Sequence, residues 1–251
     1  MSASPELRVV PDPPALFQTA AEQFVTLAGS AVRAHGCFTV ALSGGSTPKS
    51  LYSRLATDDR DQVPWDKTFF FWGDERHVPP DNPESNYRMV YEALLSKVPV
   101  PAGNIFRVPA ENRDAARVAE SYELALRHFF KVPPGSFPSF DLILLGMGPD
   151  GHTASLFPGT AALKDTSRLV VANWVEKFKG HRITMTLPVI NQAAVVTFLV
   201  SGQDKAETLK EVLEGSQPPD LFPSKLIHPV NGKLTWLVDR AAASVLYGTR
   251  A

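Results

Sequence analysis

The sequence predicts an α/β protein whose mostly parallel sheet is covered on both faces by helices. Short apolar runs alternate along the chain with segments of helical spacing, as where Phe38–Leu42 is followed by Pro48–Leu55. Such almost wholly apolar runs are typical of parallel strands that are buried on both faces. The 251 residues contain no internal repeat and no low-complexity segment. Because this alternation commonly forms one domain of that size, we expect a single domain over residues 1–251.

The first half of the chain begins with a long amphipathic helix. Apolar residues recur at helical spacing from Ala15 to Arg33, and His35-Gly36 is a helix stop signal. Pro48 suits the first turn of a second helix, because proline is tolerated where no intrahelical N–H bond is needed. The elements predicted here are helix Ala15–Arg33, strand Phe38–Leu42, helix Pro48–Leu55, strand Thr68–Trp72, helix Ser85–Leu95, strand Ile105–Val108 and helix Arg113–Phe130.

The second half continues the same alternation, with apolar runs typical of buried strands. The proline-rich stretch from Gln217 to Pro229 is interpreted as a surface connection, because a further strand and helix follow it. The elements predicted here are strands Phe140–Leu145, Leu169–Val175, Arg182–Leu187 and Val195–Val200, helix Gln203–Glu214, strand Thr235–Val238 and helix Arg240–Leu246.

Composition and charge narrow the class of protein. Hydrophobic residues make up 44% of the chain and charged residues 20%, as in ordinary globular proteins. The formal net charge of -1 gives no support for nucleic acid or an anionic membrane as partner. No apolar run reaches the roughly 18 residues that span a bilayer, and Met1–Pro14 has no apolar signal region, so export is not expected. The single cysteine, Cys37, fits a reducing compartment, and we expect a cytoplasmic protein.

The most informative run is Asp141–Gly159. Its apolar stretch stops abruptly at Gly146, and glycines then surround an acid and an imidazole, Asp150 and His152. In open α/β folds ligands bind beyond the carboxyl ends of strands, and histidine suits proton transfer near neutral pH. The run therefore predicts a loop with an acid–base pair at a site, and the alternative is an ordinary turn with a solvated histidine.

A second loop has the character of a phosphate cradle. Ser43-Gly44-Gly45-Ser46-Thr47 lies between a predicted strand and a helix, where glycines allow close approach and the helix N-terminus attracts anions. It lacks the Gly-Lys-Ser/Thr element of a Walker loop, and a capped turn is the alternative. Arg182 and Lys205 lie at other strand ends and are candidates to complete the phosphate site. The alternative for each is a solvated surface charge.

A third block, Asp74-Glu75-Arg76, follows an apolar strand. It is a candidate for the same crevice as His152, with a surface salt-bridge cluster as the alternative.

Two other kinds of site are disfavoured because their motifs are missing. No pair of histidines or cysteines has metal-ligand spacing, so no metal site is indicated. No Gly-x-Ser-x-Gly motif is present, which disfavours a serine nucleophile.

Together these blocks resemble the 6-phosphogluconolactonase family, in the order typical of that family and over nearly the whole chain. The blocks are Ser43-Gly44-Gly45-Ser46-Thr47-Pro48, Asp74-Glu75-Arg76 with Ser85-Asn86-Tyr87, the run Gly146–Gly159, and Arg182-Ile183-Thr184. The resemblance implies a three-layer α/β/α Rossmann-like fold and no cofactor. It also implies hydrolysis of 6-phospho-D-glucono-1,5-lactone to 6-phospho-D-gluconate, the second step of the oxidative pentose phosphate pathway.

Two alternatives remain at this stage. Glucosamine-6-phosphate isomerases share similar blocks, but typically carry a glutamate five residues after the histidine and a tyrosine after the Asp-Glu pair. Here those positions are Phe157 and Arg76, which favours the lactonase. A non-catalytic sugar-phosphate sensor is also compatible with the fold. It would need neither His152 nor Asp150, and no DNA-binding segment is evident.

The expected site follows from the resemblance and from the chemistry of the side chains. His152 is expected to be the general base, Asp150 to orient its imidazole, and Arg76 to stabilise the carbonyl oxygen. Residues expected to bind the substrate phosphate are Ser43, Gly44, Gly45, Ser46, Thr47, Arg182 and Lys205. Further candidates for the pocket are Asp74, Glu75 and Gly148. The expected partner is a small phosphorylated sugar lactone, with no nucleic acid, membrane or metal, and a monomer is favoured.

Overall fold

A six-stranded parallel sheet lies at the centre of the protein in this computed structural model, which describes residues 4–247. The ends of the expected domain, residues 1–3 and 248–251, lie outside the described residues. The strands of this sheet are β1 (Glu6–Val10), β2 (Phe38–Leu42), β3 (Thr68–Trp72), β5 (Leu142–Leu145), β8 (Val195–Val200) and β9 (Lys233–Asp239). Their order across the sheet is β1-β9-β8-β5-β2-β3, and helices lie on both sides. The predicted α/β fold is confirmed.

All but one of the helices begin and end near the predicted positions, and the short helix Leu187–Ile190 was not predicted. Asp12 caps the first helix through the backbone N–H of Ala15, and Gly36 ends it with a left-handed φ of 88°. The helices are α1 (Pro13–His35), α2 (Ser46–Leu55), α3 (Asn86–Val90, continued by a π turn over Tyr91–Leu95), α4 (Ala115–Phe130), α5 (Leu187–Ile190) and α6 (Ala206–Glu214). No helix within residues 4–247 is both long enough and apolar enough to cross a membrane.

A second, three-stranded antiparallel sheet was not predicted. It contains β4 (Asp74–Arg76), β6 (Val170–Val175) and β7 (Gly180–Met185) in the order β4-β7-β6. A short turn over Glu176–Phe178 joins β6 to β7. Parallel neighbours need a crossover of a dozen or more residues, so this connection permits only a hairpin.

One strand was missed, and two expected elements have a different structure. Glu6–Val10 forms the edge strand β1, which is mostly exposed and therefore lacks the apolar pattern of a buried strand. Ile105–Val108 is not a strand, because only a single bridge joins Ile105 to Phe70. Arg240–Leu246 forms turns rather than a helix.

The hydrophobic core surrounds the central strands of the parallel sheet. β2 and β5 are buried at every position, and Phe71 of β3 packs against the rings of Phe106, Phe129 and Phe140. Burying one such side chain stabilises the fold by about 1.5–3 kcal/mol. Because the strands are parallel, their carboxyl ends meet at one edge of the sheet, where the loops that begin at Ser43 and Gly146 lie.

Candidate active site

A cleft of about 420 Å³ lies at the carboxyl edge of the parallel sheet. It brings together most of the site residues predicted from the sequence. Those residues are Ser43, Gly44, Gly45, Ser46, Thr47, Asp74, Arg76, Gly148, His152, Arg182 and Lys205. Two predicted residues, Asp150 and Glu75, do not line the cleft; Asp150 reaches it through His152. The cleft is of the size that binds a small molecule.

His152 and Asp150 form a hydrogen-bonded pair. The imidazole Nδ1 contacts Asp150 Oδ1, and a carboxylate can only accept, so Nδ1 carries the proton. Nε2 is then the basic nitrogen, and among the described residues it has no partner. Partial burial raises the pKa of Asp150, but the hydrogen bond and charge of His152, with Lys177 Nζ at 3.6 Å, outweigh it and hold that pKa well below its usual range. Asp150 is therefore an anion at neutral pH.

Two neighbours fix the plane of the imidazole. The ring of Phe157 stacks on it, with centroids 4.0 Å apart and planes inclined by 25°. On Gly148 an added Cβ would overlap the imidazole, so this position requires glycine. Gly151, between the acid and the histidine, has a φ of 73°, which also favours glycine. The glycine pattern of the sequence thus reflects the close approach of backbone and ring.

The loop from Ser43 to Thr47 lines the cleft and contains polar groups that have no partner among the described residues. The Ser43 hydroxyl is buried and has no hydrogen-bond partner among the described residues. No side chain caps α2, whose first residues are Ser46 and Thr47. Gly45 has a φ of 106°, and a Cβ on Gly44 would overlap the amide of Asn86. Free N–H groups at a helix N-terminus, together with hydroxyls, form a suitable anion site.

Two guanidinium groups face the cleft from the small sheet. Arg76 of β4 and Arg182 of β7 are direct cross-strand partners, an arrangement that like charges disfavour. Arg76 donates to the backbone carbonyl of Glu84, and Arg182 lies over the ring of Phe178 at 4.8 Å. Burial, and then the charge of Arg76, lowers the pKa of Arg182. Neither guanidinium is in an ion pair within the described part of the chain, so an anionic ligand would relieve their repulsion.

The third predicted cation differs from these two. Lys205 Nζ lies 3.2 Å from the carboxylate of Asp204, an exposed partner. Such a solvent-exposed pair is weak, so Lys205 remains available to an anion in the cleft.

The acids of the Asp74-Glu75 pair have different surroundings. Asp74 lines the cleft and accepts a hydrogen bond of 2.6 Å from the Ser155 hydroxyl. Glu75 is buried and accepts from the backbone N–H groups of Arg76, Asn86 and Tyr87 at 2.7–2.8 Å. Burial raises the pKa of Glu75, and those bonds oppose the rise. Glu75 therefore holds β4 to the start of α3 and offers nothing to the cleft.

Several cleft residues were not predicted as site residues. Asn86 donates to the backbone carbonyl of Asp74 and contacts the loop at Gly44. Ser155 follows Ala154, which has a left-handed φ of 47°. Asn86 stands outside the glycine-rich blocks, whereas Ser155 lies within the run Gly146–Gly159 but was not singled out there. The sequence signal for Asn86 was its block with Ser85 and Tyr87, whereas a positive φ at an alanine has no sequence signal.

Comparisons with known proteins show which family the chain belongs to and which solved structures share its fold. The family described as "Glucosamine-6-phosphate isomerases/6-phosphogluconolactonase" matches residues 11–236. A protein of Nostoc sp. named 6-phosphogluconolactonase is 45% identical over 240 residues, which cover 96% of this chain and 98% of that protein. One of Synechocystis sp. with the same name is 43% identical, covering 97% of this chain and 99% of that protein. The solved structure of 6-phosphogluconolactonase from Trypanosoma cruzi is similar with a TM-score of 0.84 and 30% identity, over 98% of each chain.

Proposed function

The chain belongs to the glucosamine-6-phosphate isomerase/6-phosphogluconolactonase family, and from that premise we infer that it hydrolyses 6-phospho-D-glucono-1,5-lactone to 6-phospho-D-gluconate. It is then a carboxylic ester hydrolase of the oxidative pentose phosphate pathway. The observation that carries this conclusion is the His152–Asp150 pair, which leaves a basic Nε2 beside a cationic cleft. Ester hydrolysis of an anionic sugar needs both features.

His152 is the proposed general base. Its Nε2 takes a proton from water as the water oxygen bonds to the lactone carbonyl carbon, forming a tetrahedral intermediate. The intermediate collapses by breaking the bond to the ring oxygen, which receives the proton from the imidazolium. Asp150, anionic at neutral pH, stabilises that imidazolium without taking its proton. Positioned proton transfer of this kind contributes roughly 10²–10⁴ in rate.

Arg76 is the proposed partner of the carbonyl oxygen. A guanidinium that makes no ion pair among the described residues is free to bind the negative charge that develops there. Arg182 and Lys205, with the loop from Ser43 to Thr47, hold the phosphate at the other end of the substrate. That distant anchor reduces the entropy cost of placing the lactone against His152.

The isomerase alternative is disfavoured by one contact. Sugar ring opening and isomerisation would require a proton relay beside His152, where glucosamine-6-phosphate isomerases typically have a glutamate. Here Phe157 covers the face of the imidazole and cannot exchange a proton. A non-catalytic sensor is disfavoured because it gains nothing from a hydrogen-bonded acid–base pair.

The remaining features of the proposal concern the protein as a whole. We propose a single domain over residues 1–251 that acts as a cytoplasmic monomer on a small phosphorylated sugar lactone. Its single cysteine fits a reducing compartment, and its net charge of -1 gives no indication of a polyanionic partner. The steps proposed above use side chains and water, with neither a metal nor a cofactor.

A coupled assay tests the function directly. Freshly generated 6-phospho-D-glucono-1,5-lactone is added to the protein, and a dehydrogenase oxidises the 6-phospho-D-gluconate that forms. We expect release well above the spontaneous rate. A rate equal to that background would contradict the proposal, and glucosamine 6-phosphate would then be the substrate to try.

A further inference from the structure

The loop Ser43–Thr47, here called the phosphate loop, begins at Ser43. A buried tyrosine, Tyr52, makes hydrogen bonds to both the backbone N–H and the backbone carbonyl of Ser43. Tyr52 of α2 donates its hydroxyl proton to the carbonyl oxygen of Ser43 at 2.9 Å. The same hydroxyl oxygen accepts from the backbone N–H of Ser43 at 3.1 Å. Tyr52 is fully buried and Ser43 is 5% exposed. One side chain thus satisfies a backbone donor and a backbone acceptor that water cannot reach.

The position of this pair explains why it is needed. The strand β2 makes its last hydrogen bond to β3 at Leu42, whose carbonyl accepts from Gly73. At Ser43 the chain leaves the sheet while it is still buried, and unpaired buried backbone groups are costly. The Tyr52 phenol takes the place of the missing strand partner. Burial raises the pKa of Tyr52, so the phenol keeps the proton that it donates.

A second tyrosine makes the same contact at a place that does not face the cleft. Tyr122 of α4 accepts from the backbone N–H of Trp72 at 2.8 Å and donates to its carbonyl at 3.2 Å. Trp72 is the last residue of the edge strand β3 and does not line the cleft. Residues 4–247 therefore contain two buried phenols with equivalent bonds, of which one holds the loop Ser43–Thr47.

We propose that Tyr52 is a positioning residue for phosphate recognition, acting through the backbone of Ser43. The inference rests on the proposed function, since it assumes that this loop binds the substrate phosphate. The loop is also tied at Gly45, whose carbonyl accepts from Lys49 at 3.1 Å. With the loop held at Ser43 and at Gly45, the unpartnered Ser43 hydroxyl and the first N–H groups of α2 keep fixed directions. Without the phenol, Ser43 can rotate and the phosphate loses its fixed donors.

The effect should be confined to binding of the phosphate. Tyr52→Phe removes one oxygen and keeps the ring that packs in the core. We expect the KM for the phosphorylated lactone and the inhibition constant of inorganic phosphate each to rise about tenfold, as for one lost charge-assisted hydrogen bond. The kcat should stay within about twofold, because His152 and Arg76 do not touch Tyr52.

Tyr122→Phe is the matched control, because it deprives two buried backbone groups of the same kind of partner. It should lower stability to a similar extent and leave the KM and the phosphate inhibition constant unchanged. Both variants are also measured on D-glucono-1,5-lactone, which lacks the phosphate. On that substrate Tyr52→Phe should match the wild type.

The outcomes are distinguishable. If Tyr52→Phe and Tyr122→Phe have the same kinetic constants, the positioning role is wrong even though the enzyme is a lactonase. If wild type does not hydrolyse the phosphorylated lactone, or phosphate does not inhibit it, the proposed function or its phosphate site fails instead. Should Tyr52→Phe be too unstable for kinetics, the rise in melting temperature caused by inorganic phosphate gives the same comparison. If phosphate raises the melting temperature of Tyr52→Phe as much as that of Tyr122→Phe, the inference is overturned. A smaller rise for Tyr52→Phe supports it.

Discussion

The ring of Phe157 stacks on the imidazole of His152 at a centroid distance of 4.0 Å. Phe157 in turn meets Phe178 edge to face at 5.7 Å, and the Arg182 guanidinium lies over the Phe178 ring. A row of contacts therefore joins His152, the proposed base, to Arg182, which is proposed to bind the substrate phosphate. The distance between the two depends on these two phenylalanine rings.

Phe157→Ala should lower kcat more than it raises KM. Loss of the stack frees the imidazole to turn about its Cβ–Cγ bond. An aromatic pair is worth about 0.5–1.5 kcal/mol beyond its buried area. We expect kcat to fall about fivefold to tenfold, and Phe157→Tyr, which keeps the stack, to retain most of it. Steady-state kinetics on the phosphorylated lactone measures both. Equal activity of Phe157→Ala and wild type would show that the stack does not orient the base.

His152→Ala should lower kcat by roughly 10²–10⁴ with little change in KM, because a general base acts in the transition state rather than in binding. The control is His128→Ala, since His128 is an exposed residue of α4 outside the cleft. The coupled lactone assay measures both variants. Near-normal kcat in His152→Ala would remove the general-base role and leave the lactonase function intact.

The sequence predicted the parts of this site that depend on local pattern. The glycine-rich loop placed Asp150 and His152 close together, but the sequence left open which of Asp74, Glu75 and Asp150 lies closest to the imidazole. The structure pairs Asp150 with it. Because the strands were predicted to be parallel, their carboxyl ends were expected to meet at one edge of the sheet, and the cleft lies there. The role of Glu75 was not predictable, since the adjacent acids Asp74 and Glu75 differ only in which neighbours the fold supplies. In the small antiparallel sheet β6 and β7 form a local hairpin, but β4 pairs with β7 from a distant part of the chain, and periodicity does not report such a pairing.

Asp150→Asn should make stability less dependent on pH. The pKa of Asp150 is lower in the folded protein than in the unfolded chain, so its carboxylate stabilises the fold at pH values above the unfolded pKa of about 3.9. This contribution is lost as pH falls through the folded value. We therefore expect Asp150→Asn to have a lower melting temperature than the wild type when both are measured at about pH 5 to 7. The difference should shrink below about pH 4.

Thermal unfolding of both proteins across that range is the measurement. Asp141→Asn is a useful comparison, because Asp141 also contacts a histidine, His35, but at the opposite edge of the sheet. A melting-temperature difference for Asp150→Asn that grew as the pH fell below 4 would have the wrong sign for a carboxylate of lowered pKa.

Arg182→Ala and Arg76→Ala should differ in their dependence on the substrate phosphate, although the two side chains are direct cross-strand partners. A hydrogen bond to a charged group is worth about 1.5–3 kcal/mol, so loss of Arg182 should raise the KM of the phosphorylated lactone roughly 10–100-fold. The same change should have little effect on D-glucono-1,5-lactone. Arg76→Ala should instead lower kcat on both substrates, because the carbonyl oxygen is common to them. If both variants lose activity only on the phosphorylated lactone, both arginines bind the phosphate, and the oxyanion must be stabilised by another donor of the cleft.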